Sequence, residues 1–208
     1  LAMTAEIKEV NTYKAIDVVG MPVLISRGAD GIARAFVNMC SHRGAQLVDP
    51  GVGTARRFAC PYHNWTYNQE GDLVGIFKQD DFGQLETSCL GLTQLPIAER
   101  AGLIWVTLSP DSKLDFDAFF AGYDEMLEFC DFASMNHFGT RILAGPNWKI
   151  SFDGYVDFYH LPILHKNTFG PDMSPDALFH RVGPHQRVTG PRGNWAKLEG
   201  RPTSEWPE

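Results

Sequence analysis

Hydrophobic and polar residues alternate over the first half of the chain in short runs. The apolar run 22–26 is followed by 32–39, where apolar residues recur at every second position. "GLIWVTLS" at 102–109 is rich in residues that favour strands. Clusters rich in Gly and Asp that predict turns lie between such runs, at 27–31, 49–53 and 68–72. This pattern predicts a small β-sandwich or barrel that ends near residue 110.

Helical spacing replaces this alternation in the second half of the chain. Asp115 is a candidate N-cap for a helix over 116–129. A strand is predicted at 138–145, and a second helix over 147–165 is predicted to be interrupted at Pro162. In the first helix, an apolar stripe at helical spacing predicts a core-facing side: Phe116, Phe119, Phe120, Tyr123, Met126 and Leu127.

Composition and charge narrow the class of protein. Hydrophobic residues make up 44% of the chain and charged residues 21%, which is typical of a soluble globular protein. The net charge of −7 and the lack of a long Lys and Arg run do not favour a nucleic-acid partner. The apolar stretches are too short to span a bilayer, and no leader peptide is visible. We therefore expect a soluble cytoplasmic protein with no nucleic-acid or membrane partner.

Two cysteines and two histidines form two short pairs. Cys40 and His42 stand one residue apart, Cys60 and His63 stand two apart, and 17 residues separate the pairs. Thiolates and neutral imidazoles are metal ligands, so the pattern predicts metal binding in a reducing compartment rather than a disulfide scaffold. A structural zinc site with the same four ligands is an alternative, because zinc also accepts two cysteines and two histidines.

A carboxylate and two histidines form a second group, in "FDGYVDFYHLPILH". On a helix, Asp153, Asp157 and His160 fall within a narrow sector of one face. His165 would point roughly 140° away from His160 in an unbroken helix, and Pro162 lets it turn back towards the same centre. Two histidines and a carboxylate suit a non-haem Fe(II) site with open positions for O₂. The simpler alternative is an amphipathic core helix with ordinary surface side chains.

The motifs "CSHRG" and "CPYHNW" closely resemble the two cluster-binding loops of Rieske non-haem iron ring-hydroxylating oxygenases. The resemblance implies that Cys40 and Cys60 bind one iron of a Rieske 2Fe-2S cluster, and that His42 and His63 bind the other. Replacing two thiolates by neutral imidazoles raises the reduction potential relative to all-cysteine clusters. Asn64 stands where the family usually has Gly. Because Asn tolerates left-handed backbone angles, we expect the loop to be retained.

The Asp-x2-His-x4-His pattern, preceded by "NWK", resembles the mononuclear-iron motif of the α (large) subunit of these oxygenases. The resemblance implies that His160 and His165 bind Fe(II). It also implies that Asp157 hydrogen-bonds a ligand histidine and reaches His63 of a neighbouring subunit, so that electrons pass from His63 through Asp157 to His160. The third ligand of the family is acidic and comes later, in a longer chain. We expect this sequence to be partial; the alternative is that its mononuclear site is lost or altered. Four downstream acidic residues lack a recognisable ligand context: Asp172, Asp176, Glu199 and Glu205.

The resemblance implies an α+β fold. A β-rich Rieske 2Fe-2S domain is expected over 1–110, followed over 111–208 by the N-terminal, incomplete part of a helix-over-antiparallel-sheet catalytic domain. The implied function is the terminal oxygenase component of a Rieske system, which uses O₂ and electrons from NAD(P)H through a reductase, with or without a ferredoxin. The expected reaction is dihydroxylation, monohydroxylation or oxidative demethylation of an organic substrate, and we expect that substrate to be aromatic. The expected assembly is a homotrimer or α3β3, and the alternative is a Rieske-type electron-transfer protein without mononuclear iron.

The other cysteines and histidines stand outside these motifs. The two remaining cysteines are predicted to be small buried hydrophobic residues: Cys89 and Cys130. The three remaining histidines are predicted to lie at the surface: His137, His180 and His185.

Overall fold

A computed structural model of the chain describes residues 1–169, 177–190, 200–202 and 204. The chain divides into two compact units, unit 1 (Leu1–Phe138) and unit 2 (Gly139–Glu208). Unit 1 is built mainly of strands, and unit 2 contains short helices and a β-hairpin. The predicted α+β class is confirmed.

Unit 1, all of whose residues are described, contains eleven short strands. They pair into a five-stranded sheet and two three-stranded sheets, and every pair is antiparallel. In chain order the strands are β1 (Ala2–Met3), β2 (Thr12–Val18), β3 (Met21–Arg27), β4 (Ala33–Val37), β5 (Gly51–Thr54), β6 (Phe58–Ala59), β7 (Thr66–Tyr67), β8 (Leu73–Gly75), β9 (Gln94–Leu95), β10 (Ile97–Arg100) and β11 (Leu103–Val106). The sheet orders are β5-β2-β3-β4-β9, β1-β11-β10 and β6-β7-β8.

The strands predicted from alternation are confirmed as β3, β4 and β11. The predicted turn at 27–31 is confirmed, since the Gly28 N–H donates to the Ile32 carbonyl at 3.0 Å. The turn at 68–72 is confirmed by a bond of the same length from the Asn68 N–H to the Asp72 carbonyl. The prediction at 49–53 is wrong in part, because Gly-rich β5 pairs with β2 along one edge of the sheet.

The core of unit 1 lies on both faces of the five-stranded sheet. Leu24 on β3 packs into one buried cluster, and its neighbours Val23 and Ile25 pack into another. This alternation follows from the period of two along a strand. The first cluster includes Cys40 and Cys60, so the cysteine-bearing loops rest directly on the hydrophobic core.

A charged pair links the sheets of unit 1. The buried Arg27 side chain donates through Nη2 to Glu99 Oε1 at 2.7 Å and through Nε to the Ile7 carbonyl at 2.6 Å. The Thr4 hydroxyl also donates to Glu99, at 2.6 Å. Partial burial alone would raise the pKa of Glu99, but the hydrogen bonds from Arg27 and Thr4 outweigh it and hold that pKa below its usual range.

A side chain caps the start of the helical region, as predicted. The Asp115 carboxylate accepts hydrogen bonds from the backbone N–H groups of Asp117 and Ala118, at 3.0 and 3.1 Å. Phe120 is fully buried, and its ring centroid lies 5.0 Å from that of Trp105. The other five residues of the predicted apolar stripe are half-buried, which confirms that this side faces the core.

The predicted helix over 116–129 is divided into α1 (Phe116–Phe120) and α2 (Tyr123–Glu128). Ala121 and Gly122 lie between them with positive φ angles of 50° and 85°. Left-handed residues end a helix, and Gly accepts that conformation at little steric cost. The break was not predicted, because the apolar spacing continues across it.

The last part of unit 1 packs against the hairpin between β10 and β11. A Cβ at Gly102, which has a φ of 72°, would collide with the backbone of Phe132 and Ala133. Farther on, His137 Nε2 lies 3.6 Å from Glu6 Oε1.

Unit 2 begins without the predicted strand. Residues 138–145 pair with no strand among the described residues, so that prediction is wrong. The helices that follow are α3 (Trp148–Val156), α4 (Leu161–Leu164) and α5 (Lys166–Phe169), and a hairpin is formed by β12 (Leu178–Val182) and β13 (His185–Thr189). None of the helices in the described parts of the chain combines the length and apolar character needed to cross a membrane.

The predicted helix over 147–165 is wrong in its continuity. It ends at Val156, because Asp157 adopts an extended backbone with φ −88° and ψ 106°. Pro162 lies in the first turn of α4 and does not interrupt a helix. Proline is tolerated there, since the first N–H groups of a helix have no intrahelical partner.

Candidate metal-binding sites

The two Cys-His loops of unit 1 share one backbone geometry. In the first loop, the Cys40 N–H donates to the Ala45 carbonyl at 2.8 Å, and the Gly44 N–H donates back to the Cys40 carbonyl at 2.9 Å. In the second loop, Cys60 donates to Trp65 at 2.7 Å and Asn64 donates to Cys60 at 2.9 Å. Each cysteine thus opens a tight loop that is closed by the same two hydrogen bonds.

A left-handed residue stands four positions after each cysteine. Gly44 has a φ of 72° and Asn64 has a φ of 58°. This conformation directs each N–H back to the cysteine carbonyl. The expectation that Asn64 adopts left-handed angles in place of the family's Gly is therefore confirmed.

Both cysteines of these loops are buried free thiols. Cys40 and Cys60 are each 3% exposed and form no disulfide. The Cys40 Sγ atom lies 3.1 Å from the hydroxyl oxygen of Tyr67. Buried cysteines that are not paired to each other, beside histidines, are a donor set suited to soft metal ions and iron–sulfur clusters.

The two histidines face each other across the loops. The ring centroids of His42 and His63 lie 4.8 Å apart. Within the described residues, the buried Nδ1 atoms of both rings have no hydrogen-bond partner. Buried polar atoms are nearly always paired, so two unpaired imidazole nitrogens in the loops that carry two free thiols fit the ligand set of a Rieske cluster. The role of these four residues as ligands stays a prediction.

Aromatic rings fix both histidines. Trp65 stacks on His42 with centroids 4.7 Å apart and planes 11° apart, and Tyr62 stacks on His63 at 3.8 Å and 28°. Tyr62 is 59% exposed, so the His63 side of the site lies close to the surface. No sequence pattern indicates these stacks beyond the presence of both aromatic residues in the second motif.

Tyr67 belongs to the site but was not predicted. Its hydroxyl oxygen accepts from the Ser41 N–H at 3.1 Å and lies 2.9 Å from Ser41 Oγ, in addition to its contact with Cys40. Ser41 Oγ in turn donates to the Leu90 carbonyl at 2.6 Å. Burial, together with the hydrogen bond to Cys40, raises the pKa of Tyr67 to about 12, so its hydroxyl keeps its proton.

In unit 2, a carboxylate lies beside the first histidine of the second motif. His160 Nδ1 is 3.3 Å from Asp157 Oδ2, while Asp157 Oδ1 accepts from the Tyr159 N–H at 2.8 Å. A carboxylate on one ring nitrogen selects the tautomer and leaves the other nitrogen, Nε2, as the atom that can bind a metal.

The two histidines of unit 2 flank a single helical turn. His160 precedes α4 and His165 follows it, and their ring centroids lie 5.3 Å apart. The short helix therefore brings together two side chains that an unbroken helix would have directed apart. Their role as iron ligands, like that of Asp157 beside them, stays a prediction. Within the described residues, no group of three or more His, Cys, Asp or Glu side chains is placed to hold a metal ion.

A cavity of about 620 Å³ adjoins these histidines, a size typical of sites for small ligands. Its walls are mainly apolar and aromatic, and the polar groups on them include Asp157, His160 and His165. The apolar and aromatic lining residues include Ile150, Tyr155, Phe158, Leu161 and Phe169.

The predictions outside the motifs have mixed outcomes. The prediction that Cys89 and Cys130 are buried is wrong, because both are exposed. Cys89 ends a short 3-10 helix (Thr87–Cys89), and Cys130 follows α2. His137 and His180 are exposed, as predicted, and His185 is half-buried. Four acidic residues lie outside the described residues: Asp172, Asp176, Glu199 and Glu205.

Two family models match the chain. The model of the Rieske 2Fe-2S domain matches residues 1–89, and that of the ring-hydroxylating alpha subunit (catalytic domain) matches residues 132–208. The predicted domain boundary at residue 110 lies between the two matched ranges and stays a prediction.

Curated relatives are similar over most of the chain. The carnitine monooxygenase oxygenase subunit of Escherichia coli strain K12 is 28% identical over 205 residues, which are 96% of this chain and 51% of the relative. The anthranilate 1,2-dioxygenase large subunit of Burkholderia cepacia is 31% identical over 173 residues, 79% of this chain and 41% of the relative. The chain thus spans about half the length of the curated relatives it matches, or less.

Solved structures show the same similarity. A quaternary ammonium Rieske monooxygenase in complex with an inhibitor matches with a TM-score of 0.83 and 26% identity, over 91% of this chain and 54% of that chain. A naphthalene 1,2-dioxygenase with indole bound in the active site matches with a TM-score of 0.65 and 29% identity, over 81% of this chain and 39% of that chain.

Proposed function

Since the chain belongs to the family of Rieske non-haem iron oxygenase large subunits, we propose that it is part of the terminal oxygenase component of a multi-component system. The two domains imply a Rieske 2Fe-2S cluster and a mononuclear iron as cofactors. The system would use O₂ and electrons from NAD(P)H, through a reductase with or without a ferredoxin, to hydroxylate or oxidatively demethylate an organic substrate. A cytoplasmic location is part of this proposal.

One observation carries the proposal. His42 and His63 each present a buried Nδ1 atom that has no partner among the described residues, and they lie in the same two loops as the free thiols of Cys40 and Cys60. Such unpaired buried atoms cost free energy unless something binds them. A cluster held by two thiolates and two imidazoles would satisfy both nitrogens.

The chain's own residues orient the reacting groups. When bound, the Rieske cluster supplies single electrons and the mononuclear iron activates O₂. Trp65 and Tyr62 hold the rings of His42 and His63 by stacking. In unit 2, Asp157 holds His160 in the tautomer whose Nε2 can bind iron.

We further propose that Asp157 connects two subunits. Its side chain is 51% exposed, so the carboxylate that contacts His160 can also be reached from outside. His63, with the exposed Tyr62 stacked on it, is the matching group on a neighbouring copy. A head-to-tail contact of this kind closes into a ring, which supports a homotrimer or an α3β3 assembly.

The compounds for which the relatives are named are not all aromatic. Relatives are named for carnitine, glycine betaine and choline as well as for anthranilate and 2,4-dinitrotoluene. The cavity of unit 2 is lined by the aromatic residues Tyr155 and Phe158. Aromatic faces suit a quaternary ammonium group. We therefore propose quaternary ammonium compounds as the first candidates and aromatic compounds, the class expected from the sequence, as the second.

The test is to measure iron, zinc and acid-labile sulfide per chain, followed by O₂ uptake with a compatible reductase and both substrate classes. Three irons and two sulfides with substrate-dependent O₂ uptake are expected. Two irons and two sulfides without O₂ uptake would indicate either an electron-transfer protein or an oxygenase chain without its third, acidic iron ligand. Zinc without sulfide would contradict the proposal at the first site.

A further inference from the structure

Four polar atoms form a continuous row beside Cys40. Cys40 Sγ lies 3.1 Å from the Tyr67 hydroxyl oxygen, which lies 2.9 Å from Ser41 Oγ, which lies 2.6 Å from the Leu90 carbonyl oxygen. The row therefore contains three hydrogen-bonding contacts. It links the sulfur to a segment 49 residues away along the chain from Ser41.

The row has fewer protons than contacts. Tyr67 and Ser41 each carry one hydroxyl proton, the Leu90 carbonyl can only accept, and a thiolate bound to iron can only accept. The Ser41 N–H also donates to the Tyr67 oxygen, at 3.1 Å, which leaves the Tyr67 proton to be donated elsewhere. Two hydroxyl protons must serve three contacts, so one contact is always without a proton.

The shortest contact decides how the protons are shared. Ser41 Oγ lies 2.6 Å from the Leu90 carbonyl, so the Ser41 proton is committed to that acceptor. The Tyr67 proton then has two acceptors at similar distances, Ser41 Oγ and Cys40 Sγ. Ser41 competes with the sulfur for the one proton that the sulfur can receive from Tyr67.

The Leu90 acceptor is held in place by its own segment. The Leu92 N–H donates to the Gly71 carbonyl at 2.7 Å, and the Leu90 N–H donates to the Thr87 carbonyl at 3.1 Å. A Cβ at Gly91 would lie only 3.0 Å from the Gly71 oxygen, so the segment packs closely on the turn at 68–72. The segment that carries this acceptor carbonyl is thus held by backbone hydrogen bonds at both Leu90 and Leu92.

We propose that Ser41 is a positioning residue that lowers the reduction potential of the cluster by withholding the Tyr67 proton from Cys40. A hydrogen bond to a cluster sulfur stabilises the more negative, reduced state and so raises the potential. By accepting part of that bond, the Ser41 hydroxyl reduces this effect. The inference rests on the proposed ligation of the cluster by Cys40.

The test is to measure the midpoint potential of the iron-loaded protein by a spectroscopically monitored redox titration of four variants. Ser41→Ala removes the competing hydroxyl and is expected to raise the potential, increasing the ratio of reduced to oxidised cluster at the wild-type midpoint by up to about tenfold, or about 59 mV for one electron. Tyr67→Phe removes the donor and is expected to lower the potential. Ser41→Thr keeps a hydroxyl and is expected to retain the wild-type value.

The double variant separates this role from a merely structural one. Adding Ser41→Ala to Tyr67→Phe is expected to change nothing further, because Ser41 acts through the Tyr67 proton. An unchanged or lowered potential in Ser41→Ala with full iron and sulfide would overturn the inference and leave the proposed function standing. A Ser41 effect that persists in the Tyr67→Phe background would also overturn it. Wild-type protein without iron and sulfide would instead overturn the proposed function.

Discussion

His160 Nδ1 lies 3.3 Å from Asp157 Oδ2 although the two residues do not share a helix. The helix that contains the preceding residues ends at Val156, and the chain turns through Asp157 before α4 begins at Leu161. Asp157 supports that turn by accepting the Tyr159 N–H. One carboxylate therefore shapes the backbone with one oxygen and orients the histidine with the other.

Replacing Asp157 by Asn is expected to keep the fold and both metal sites but to reduce turnover by about 10- to 100-fold, the usual cost of losing a group that orients a metal-binding histidine. Asn retains an acceptor for the Tyr159 N–H, so the local turn should survive. The measurement is substrate-dependent O₂ uptake together with iron per chain. Asp111→Asn, at an exposed position of unit 1, is the control. Near-wild-type turnover of Asp157→Asn would refute the bridging role.

Asn64 is expected to be replaceable by Gly but not by Val. Its φ of 58° is left-handed, and a residue other than Gly or Asn at such a position costs about 1–2 kcal/mol. Asn64→Val is therefore expected to lower the free energy of unfolding by about that amount and to reduce acid-labile sulfide per chain, because the second loop opens. Asn64→Gly is the matched control and should retain both. The measurements are denaturant unfolding and sulfide content, and equal values for the two variants would contradict the role of the backbone angle.

Glu99→Gln is expected to destabilise unit 1 above about pH 5 by about 1–2 kcal/mol, between the values for exposed and buried ion pairs. The pKa of Glu99 is lowered in the folded protein by Arg27 and Thr4 against the effect of burial. A lowered folded pKa means that the stabilisation is present above the unfolded pKa and is lost as the pH falls through the folded value. The difference in Tm between wild type and Glu99→Gln should therefore shrink on acidification from pH 7 to pH 3.

The control for this titration is Glu125→Gln, which removes an exposed carboxylate of α2. Its Tm should follow that of the wild type throughout the pH range. If the Tm of the wild type exceeded that of Glu99→Gln by the same amount down to pH 3, the Glu99 carboxylate would contribute no pH-dependent stabilisation.

The features that could be predicted from the sequence are those that a short stretch of residues determines. The strand alternation in β3 and β4, the Asp115 cap and the left-handed Asn64 each depend on a few neighbouring residues, and all are confirmed. The Cys-His pairs were recognisable for the same reason, because each loop places its candidate ligand histidine within three residues of a cysteine.

What could not be predicted depends on competition between local alternatives or on distant contacts. The apolar spacing continues past Val156, but the Asp157 side chain offers the backbone a turn that competes with the helix. The hydrogen bond between Ser41 and Leu90 joins residues 49 positions apart, so no local pattern indicates it. Cys89 was misjudged because burial depends on packing, while its residue type favours the interior only on average.

Gly102→Ala is expected to destabilise unit 1 for two reasons that a matched variant separates. Gly102 has a φ of 72°, and an added Cβ would also collide with the backbone of Phe132 and Ala133. Gly20 has a φ of 81° but open space around the position of a Cβ. Gly20→Ala should therefore cost only the left-handed strain, about 1–2 kcal/mol. Gly102→Ala should cost more in denaturant unfolding, because residues 132–133 must move away from the hairpin. Equal losses would mean that this segment does not pack on Gly102 in solution.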